Sequence, residues 1–407
     1  MFTRRAFVKG SSLAMFGIGV APSWLARAAS TSTGRKKVLV TIFQRGAADG
    51  LNVVVPFGES RYYDLRPTLA VPKPGSDAAN SAVDLDGFFG LHPSLAPLKP
   101  IYDAKALAIV HATGSPDPTR SHFDAQDYME AGTPGMKSTR DGWLNRALLP
   151  PAAKSSPLRA LALGQSLPRM LRGKNPAVAV NNIADFQVRD SASSEMFESM
   201  YSRSLDTVLQ GTGKDTFEAV KMLKAIQKEN YSPAGGAAYP SGRFGQSMRQ
   251  IAQLIKANVG VEVAFADIGG WDTHTNQPAN LSARLSELGQ AMAAFYKDLG
   301  DSMADVVAVT MSEFGRTAKE NGTRGTDHGH ANAMFVMGGA INGGAIHGEW
   351  PGLQQEQLYE SRDLAVTTDF RDVLSELVAN HLGNRQISAV FPGYQADAKK
   401  YRGVVTA

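Results

Sequence analysis

The sequence predicts an α/β fold: a doubly wound, mostly parallel sheet with helices on both faces. Three observations carry this expectation. Short, continuous apolar runs rich in β-branched residues recur along the chain, they alternate with stretches of 3.6-residue periodicity, and several stop at glycine-rich or polar turns. A strand covered by helices on both faces buries both rows of side chains, so its sequence reads as one unbroken apolar run.

The first run, Lys37 to Phe43, ends in Arg45-Gly46-Ala47-Ala48-Asp49-Gly50 and reads as a buried strand entering a glycine turn. The second, Ala106 to Val110, stops at His111-Ala112-Thr113-Gly114. Ala177 to Val180, Val261 to Ile268, Asp305 to Thr310 and Ala333 to Met337 complete the set. Between them, helical periodicity covers His122 to Glu130, Phe217 to Gln227, Gly245 to Ala257, Leu281 to Leu299 and Asp369 to His381. Residues 190–250 lack strand signals and read as a helical insertion. With no internal repeat and no strong linker, one large domain over residues 29–407 is expected.

Composition narrows the function. Of the 407 residues 43% are hydrophobic and 20% charged, the profile of a chain with ample core. There is no cysteine, so disulfides, thiolate metal sites and cysteine nucleophiles are excluded, and any metal must be held by oxygen or imidazole. The net charge of +4 has a local origin: residues 1–28 hold Arg4, Arg5, Lys9 and Arg27 and no acid, which leaves 38 basic against 38 acidic residues. A neutral body argues against a nucleic-acid partner.

That basic segment reads as an address. Thr3-Arg4-Arg5-Ala6-Phe7-Val8-Lys9 precedes an apolar stretch from Leu13 to Leu25 and the small-x-small end Ala26-Arg27-Ala28. This is the layout of a removable export signal, and the paired arginines resemble the twin-arginine type. The stretch is too short, and too interrupted by Gly17, Gly19 and Pro22, to be a stable membrane span. The expectation is a periplasmic or secreted protein that meets the twin-arginine translocase during export, with cleavage after Ala28.

Ligands in doubly wound sheets sit outside the carboxyl ends of the strands, so the residues after each run matter most. Ser121 with Asp124 looks like a capping box, yet a hydroxyl at a helix start also faces free N–H groups and suits an attack on phosphate or sulfate. Gly269-Gly270-Trp271-Asp272-Thr273-His274 is either an Asx-type turn or a pair of metal ligands, Asp272 and His274, better suited to zinc, manganese or iron than to calcium. Glu313 and Arg316 form either a local ion pair or a ligand and an oxyanion clamp. Asp327, His328 and His330 put three potential ligands in four residues. Of eight histidines, His111, His122, His274, His328 and His330 all lie beside expected strand ends or starts.

As a set, Gly46-Ala47-Ala48-Asp49-Gly50-Leu51-Asn52, Leu91-His92-Pro93, Arg120-Ser121-His122-Phe123, Gly270-Trp271-Asp272-Thr273-His274, Ser312-Glu313-Phe314-Gly315-Arg316-Thr317, Thr326-Asp327-His328-Gly329-His330 and Thr368-Asp369-Phe370-Arg371 resemble the landmarks of an exported family. It is the domain of unknown function numbered 1501, grouped with the alkaline phosphatase and sulfatase superfamily, and the resemblance spans about residues 36–395. It implies a sheet carrying one or two divalent ions and a nucleophile at a strand end. By position, Asp49 would be the first ligand, Ser121 the nucleophile, Asp272 and His274 the later turn, and His328 or His330 the final histidine. The superfamily's Asp-His pair falls on Glu313-Phe314, so one imidazole is missing; alternatively Asp327-His328 is that pair and His347 the last histidine. The implied activity is hydrolysis of a phosphate or sulfate ester, or a related anionic small-molecule or polysaccharide substrate, with Arg120 or Arg316 holding the anion. The alternative is a non-catalytic exported binding or assembly protein on an inherited hydrolase fold.

Overall fold

The structure, a computed structural model, describes residues 36–76, 80–150, 155–183, 218–227 and 230–406. The leader at 1–28 and residues 190–217 and 228–229 of the expected insertion lie outside the described residues. Among those described, no helix is long and apolar enough to cross a membrane.

Among the described residues, the fold is mixed α/β around a nine-stranded sheet. Its strands are β1 (Val38–Arg45), β2 (Leu107–Gly114), β3 (Ala160–Leu163), β4 (Val178–Val180), β5 (Val263–Gly269), β6 (Val306–Ser312), β7 (Asn332–Gly338), β8 (Ile346–His347) and β9 (Thr368–Asp369). Their order is β8-β2-β7-β6-β1-β5-β3-β4, with β9 also paired to β2. Strand β1 is central and parallel to both neighbours, with Thr41 opposite Phe265 on one side and Val309 on the other.

The alternation along β1 explains the two-sided core. Val38, Val40 and Ile42 pack into one cluster, with Met248 and Ile251 of α2 (Arg243–Lys256) and Leu281, Leu285 and Met292 of α3 (Gln277–Leu299). Leu39 and Phe43 enter the other, with Trp143, Leu144 and the helix at Phe370–Glu376. Burial at roughly 25 cal/mol per Å² of apolar surface makes this sandwich the main favourable contribution to stability. The described end of the expected insertion joins the first layer: residues 218–227 are helical, and Leu223 and Ile226 are buried there.

Three departures from the sequence reading have physical reasons. Strand β3 escaped because Ala-Leu-Ala-Leu carries no β-branched residue. The helix expected over Asp369 to His381 continues past Glu376 as a π turn from Leu377 to His381, where the His381 ring meets the Val38 carbonyl at 2.9 Å. Most consequential, β7 runs antiparallel to both neighbours, β2 and β6. The residues that lead into β7 therefore reach the same edge as those that follow β1, β2, β5 and β6.

His111 lies inside β2, not after it, and is buried against Phe89 and Trp350. Its Nδ1 accepts from Ala112 N at 2.8 Å and its Nε2 donates to Val54 O at 3.0 Å. Burial pushes His111 and His92 each down to about 4. Between the ordinary histidine pKa and that value the unfolded chain binds the proton and the native state does not, so stability falls as pH falls through this window. Each should remove about 3 kcal/mol by pH 4. Denaturant unfolding from pH 7 to pH 4 should show this loss, and a flat profile would mean the two rings are not buried neutral.

Candidate metal centre

Four segments meet at the carboxyl edge of the sheet. Helix α1 (His122–Ala131) begins there with Ser121 as its N-cap, the loop after β5 brings Asp272 and His274, the loop after β6 brings Glu313 to Arg316, and the segment leading into β7 brings Asp327 and His328. Close backbone approach holds the loops together. Gly46 has φ of +114°, and a Cβ there would sit 2.7 Å from the Asp272 nitrogen; at Gly329 it would sit 2.2 Å from the Arg316 carbonyl carbon.

The imidazoles converge on one carboxylate oxygen. His328 Nε2 lies 3.0 Å from both His122 Nε2 and His274 Nε2. Asp272 Oδ1 lies 3.5, 3.0 and 3.2 Å from the Nε2 atoms of His122, His274 and His328. Each ring is fixed from behind at Nδ1: His122 by Glu313 Oε1 at 2.8 Å, His274 by Asp327 Oδ1 at 2.9 Å and His328 by the Arg120 carbonyl at 2.9 Å. An acceptor at Nδ1 assigns the proton to that nitrogen and leaves an Nε2 lone pair facing the others. Metal-ligating histidines are held in this way.

His122, Asp272 and His328 form a group able to hold a metal ion. Donors about 2.0–2.2 Å from a small divalent ion stand about 3–3.6 Å apart, the spacing seen between these atoms. Without a cation, facing lone pairs at 3.0 Å repel unless a ring takes up a proton, so the donor set fits one. His274 shares the Asp272–His328 side of the triangle and offers a fourth donor. Two imidazoles and a carboxylate on one side, half open to solvent, leave positions for other ligands.

The electrostatics are consistent. Burial disfavours charge on Asp272, but Arg316, His274 and His122 hold it below the usual carboxylate range. Burial likewise opposes Glu313, which the His122 ring, Gln126 and the Gly46 N–H nonetheless keep low. The Glu313 hydrogen bond raises His122, whereas burial lowers His328.

Several expected site residues stand elsewhere. Asp49 is not among the converging atoms: its carboxylate takes a two-pronged bond from the fully buried Arg66, at 2.6 and 2.9 Å, and another from Gln277, so both of its oxygens are engaged within the chain. Glu313 and Asp327 orient histidines and are not themselves among the converging atoms. His330 points away, to the Ser115 carbonyl at 3.0 Å and the Tyr359 ring. Arg120 pairs with Asp363 and Glu360, and only its carbonyl touches the site. Arg316 is buried and gives Nη2 to Asp272 at 2.8 Å, so it positions a ligand and is not open to a substrate anion. His347 binds two loop carbonyls. Ser121 caps α1 through a long 3.5 Å bond from Asp124 N, between the residue that fixes His328 and the converging His122.

His122 is among the histidines expected beside strand ends but was given no role as a ligand, and Gln126 was not singled out. Their signal was positional: an N-cap at Ser121 puts His122 at the first turn, facing the strand ends, and Gln126 one turn on. Gln126 donates to Glu313 at 2.8 Å, and Phe314 stacks on the His122 ring at 4.9 Å.

Two measurements check this assignment. Glu313→Gln should weaken metal binding about 10- to 100-fold with the fold retained, read by chelator competition. Arg66→Ala strands Asp49 in the interior and should cost about 3–5 kcal/mol of unfolding free energy while leaving the metal donors in place.

Comparisons place the chain among known proteins. The C-terminal periplasmic domain of EcEptC from Escherichia coli, in complex with Zn, is similar at TM-score 0.34 and 8% identity, over 75% of this chain and 73% of that one. The PsFucS1 sulfatase from Pseudoalteromonas sp. is similar at TM-score 0.37 and 11% identity, over 95% and 76%. The alkaline phosphatase of the Antarctic bacterium TAB5 is similar at TM-score 0.28 and 13% identity, over 75% and 92%. A search of the curated proteins returns no match. A family model described as protein of unknown function (DUF1501) matches residues 36–386, most of the chain, and the protein belongs to that family.

Proposed function

We propose that the protein is an exported, divalent-metal-dependent hydrolase acting on a phosphate or sulfate ester. One observation carries the reading: the Nε2 atoms of His122, His274 and His328 meet one Asp272 oxygen, with every Nδ1 already committed behind them. The leader at residues 1–28, with Arg4-Arg5, supports export to the periplasm or beyond, through the twin-arginine translocase.

His122, His328, Asp272 and His274 would hold the ion, which when bound supplies Lewis-acid polarisation of an ester oxygen and a lowered pKa for a nearby oxygen nucleophile. Zinc, manganese and iron suit this mixed imidazole and carboxylate set. The chain's own residues do the rest. Glu313, Asp327 and the Arg120 carbonyl keep the rings in register, and Arg316 keeps Asp272 charged. Ser121, whose hydroxyl is only weakly bound, is the nucleophile: its oxygen attacks phosphorus or sulfur, the bond to the alcohol breaks as the hydroxyl proton passes to the departing oxygen, and water then cleaves the seryl ester to release phosphate or sulfate and restore the hydroxyl.

A specific observation favours the second reading, a non-catalytic exported binding protein. Arg120 is taken by Asp363 and Glu360, and Arg316, though its Nε and Nη1 have no partner, is buried with Nη2 on Asp272, so neither is an open clamp for the substrate anion.

Two experiments separate these readings. Protein purified without chelators should carry near-stoichiometric metal by elemental analysis, lost in an Asp272→Ala/His328→Ala variant; protein that neither carries nor takes up an ion sinks the hydrolase reading. Ser121→Ala should abolish turnover of an aryl phosphate or aryl sulfate and leave metal content unchanged; wild-type turnover would reduce Ser121 to a helix cap.

A further inference from the structure

We propose that a cleft beside the metal centre, walled by Arg45, Gln126, Gln165, Ser166, Arg243 and Asp267, binds a neutral sugar unit through a vicinal pair of hydroxyls. This rests on the hydrolase reading and names the alcohol part of its substrate: the anionic group goes to the metal centre and the sugar to the cleft.

The cavity is about 380 Å³, within the range of sites that enclose a small organic ligand. It opens at the carboxyl edge of the sheet. Arg45 ends β1, Leu163 ends β3 and Asp267 lies two residues before the end of β5. A second cavity, about 180 Å³, lies among Lys36, Lys256 and Asp305 at the opposite edge, away from the converging histidines.

The hydrogen-bond inventory shows which groups are spent. Arg45 is a fixed wall: Nε donates to Asp267 Oδ2 at 2.8 Å, Nη1 to Gln126 Oε1 at 2.9 Å, and Nη2 pairs with Glu130 at 2.9 Å. Asp267 Oδ1 has no hydrogen-bond partner among the described residues, and Arg243 Nη2 stands 3.8 Å from it, beyond bonding distance. The Arg243 side chain is 64% exposed at the mouth. Gln165 and Ser166 add one amide and one hydroxyl, likewise unbonded among the described residues.

An open carboxylate oxygen beside an open guanidinium matches two neighbouring hydroxyls, one donating to Asp267 and the other accepting from Arg243. The charge count points to a neutral ligand. Arg45 and Arg243 are balanced by Asp267 and Glu130, so the cleft has no surplus field to hold an anion. Its mixture of donors and acceptors matches a polyol, each of whose hydroxyls can do both.

The cleft and the metal centre share a wall. Gln126 accepts from Arg45 on one side and donates to Glu313 on the other, and Glu313 holds His122. Asp267 and Asp272 stand on one strand and the loop that follows it. A substrate with its sugar in the cleft would present a ring substituent toward the converging imidazoles.

The test is binding of glucose, galactose, mannose and fucose to mature protein carrying its metal, followed by saturation-transfer NMR and calorimetry, with glucuronate and acetate as charged probes. At least one neutral sugar should bind with Kd below about 10 mM, and Arg243→Ala and Asp267→Asn should each weaken it about tenfold, the loss of one charge-assisted hydrogen bond. Metal content should not change in either variant. The proposal is overturned if no neutral sugar binds, if glucuronate or acetate binds tenfold tighter than every neutral sugar, or if both variants bind as the parent does. Sugar binding that persists in metal-free Asp272→Ala/His328→Ala protein would leave the cleft standing if the hydrolase reading falls. Full metal occupancy without sugar binding would remove the cleft alone.

Discussion

Three imidazole lone pairs can face one carboxylate only if every other polar atom on those side chains is already engaged. That constraint organises the carboxyl edge of the sheet. Glu313 is buried and could not remain charged there without His122, Gln126 and the Gly46 N–H; His122 in turn has no fixed ring orientation without Glu313. Asp272 depends on Arg316 in the same way, and Arg316 on the loop after β5, whose Trp271 carbonyl it also reaches at 3.2 Å. The donors are therefore held by a shell of interlocking groups, in which Arg316 spends Nη2 on Asp272 and the Trp271 carbonyl while its Nε and Nη1 have no partner, and a fault in that shell would be felt at the donors.

The buried pair of Asp49 and Arg66 follows the same logic with the opposite outcome. The resemblance made Asp49 a ligand, but a guanidinium supplied from within the chain takes both carboxylate oxygens. Arg66 also donates to the carbonyls of Thr317 and Ala318, so one cation ties the loop after β1 to the loop after β6. A fixed side-chain charge thus stands beside the centre where no exchangeable ion can compete for that aspartate.

Much of this was legible in the residues because the strands are buried on both faces and so spell themselves as apolar runs. Asp272, His274 and His328 were legible as candidates because glycine-rich turns gather ligand-type residues after one such run and before another. Other features depend on partners far away in sequence. Nothing local marks β7 as reversed, and that reversal is why a segment before a strand joins segments that follow strands. His330 and His328 are equivalent as a pattern; the two-residue offset turns one toward Ser115 and the other toward Arg120. Arg120 and Arg316 looked like clamps because their carboxylates, Asp363 and Asp272, lie 243 and 44 residues away.

The converging atoms are also widely spaced along the chain: His122 and His328 are 206 residues apart, and His274 and His328 are 54. An unfolded polypeptide cannot bring such donors together without paying most of the loop-closure entropy of the native fold. An ion held there would bind the native state and almost none of the denatured ensemble, acting as a reversible cross-link among α1, β5 and β7. By mass action an ion at 100 times its dissociation constant adds about 2.7 kcal/mol to the stability of the whole domain. The resistance of this protein to unfolding would then track the free metal of its compartment, whatever chemistry the centre performs.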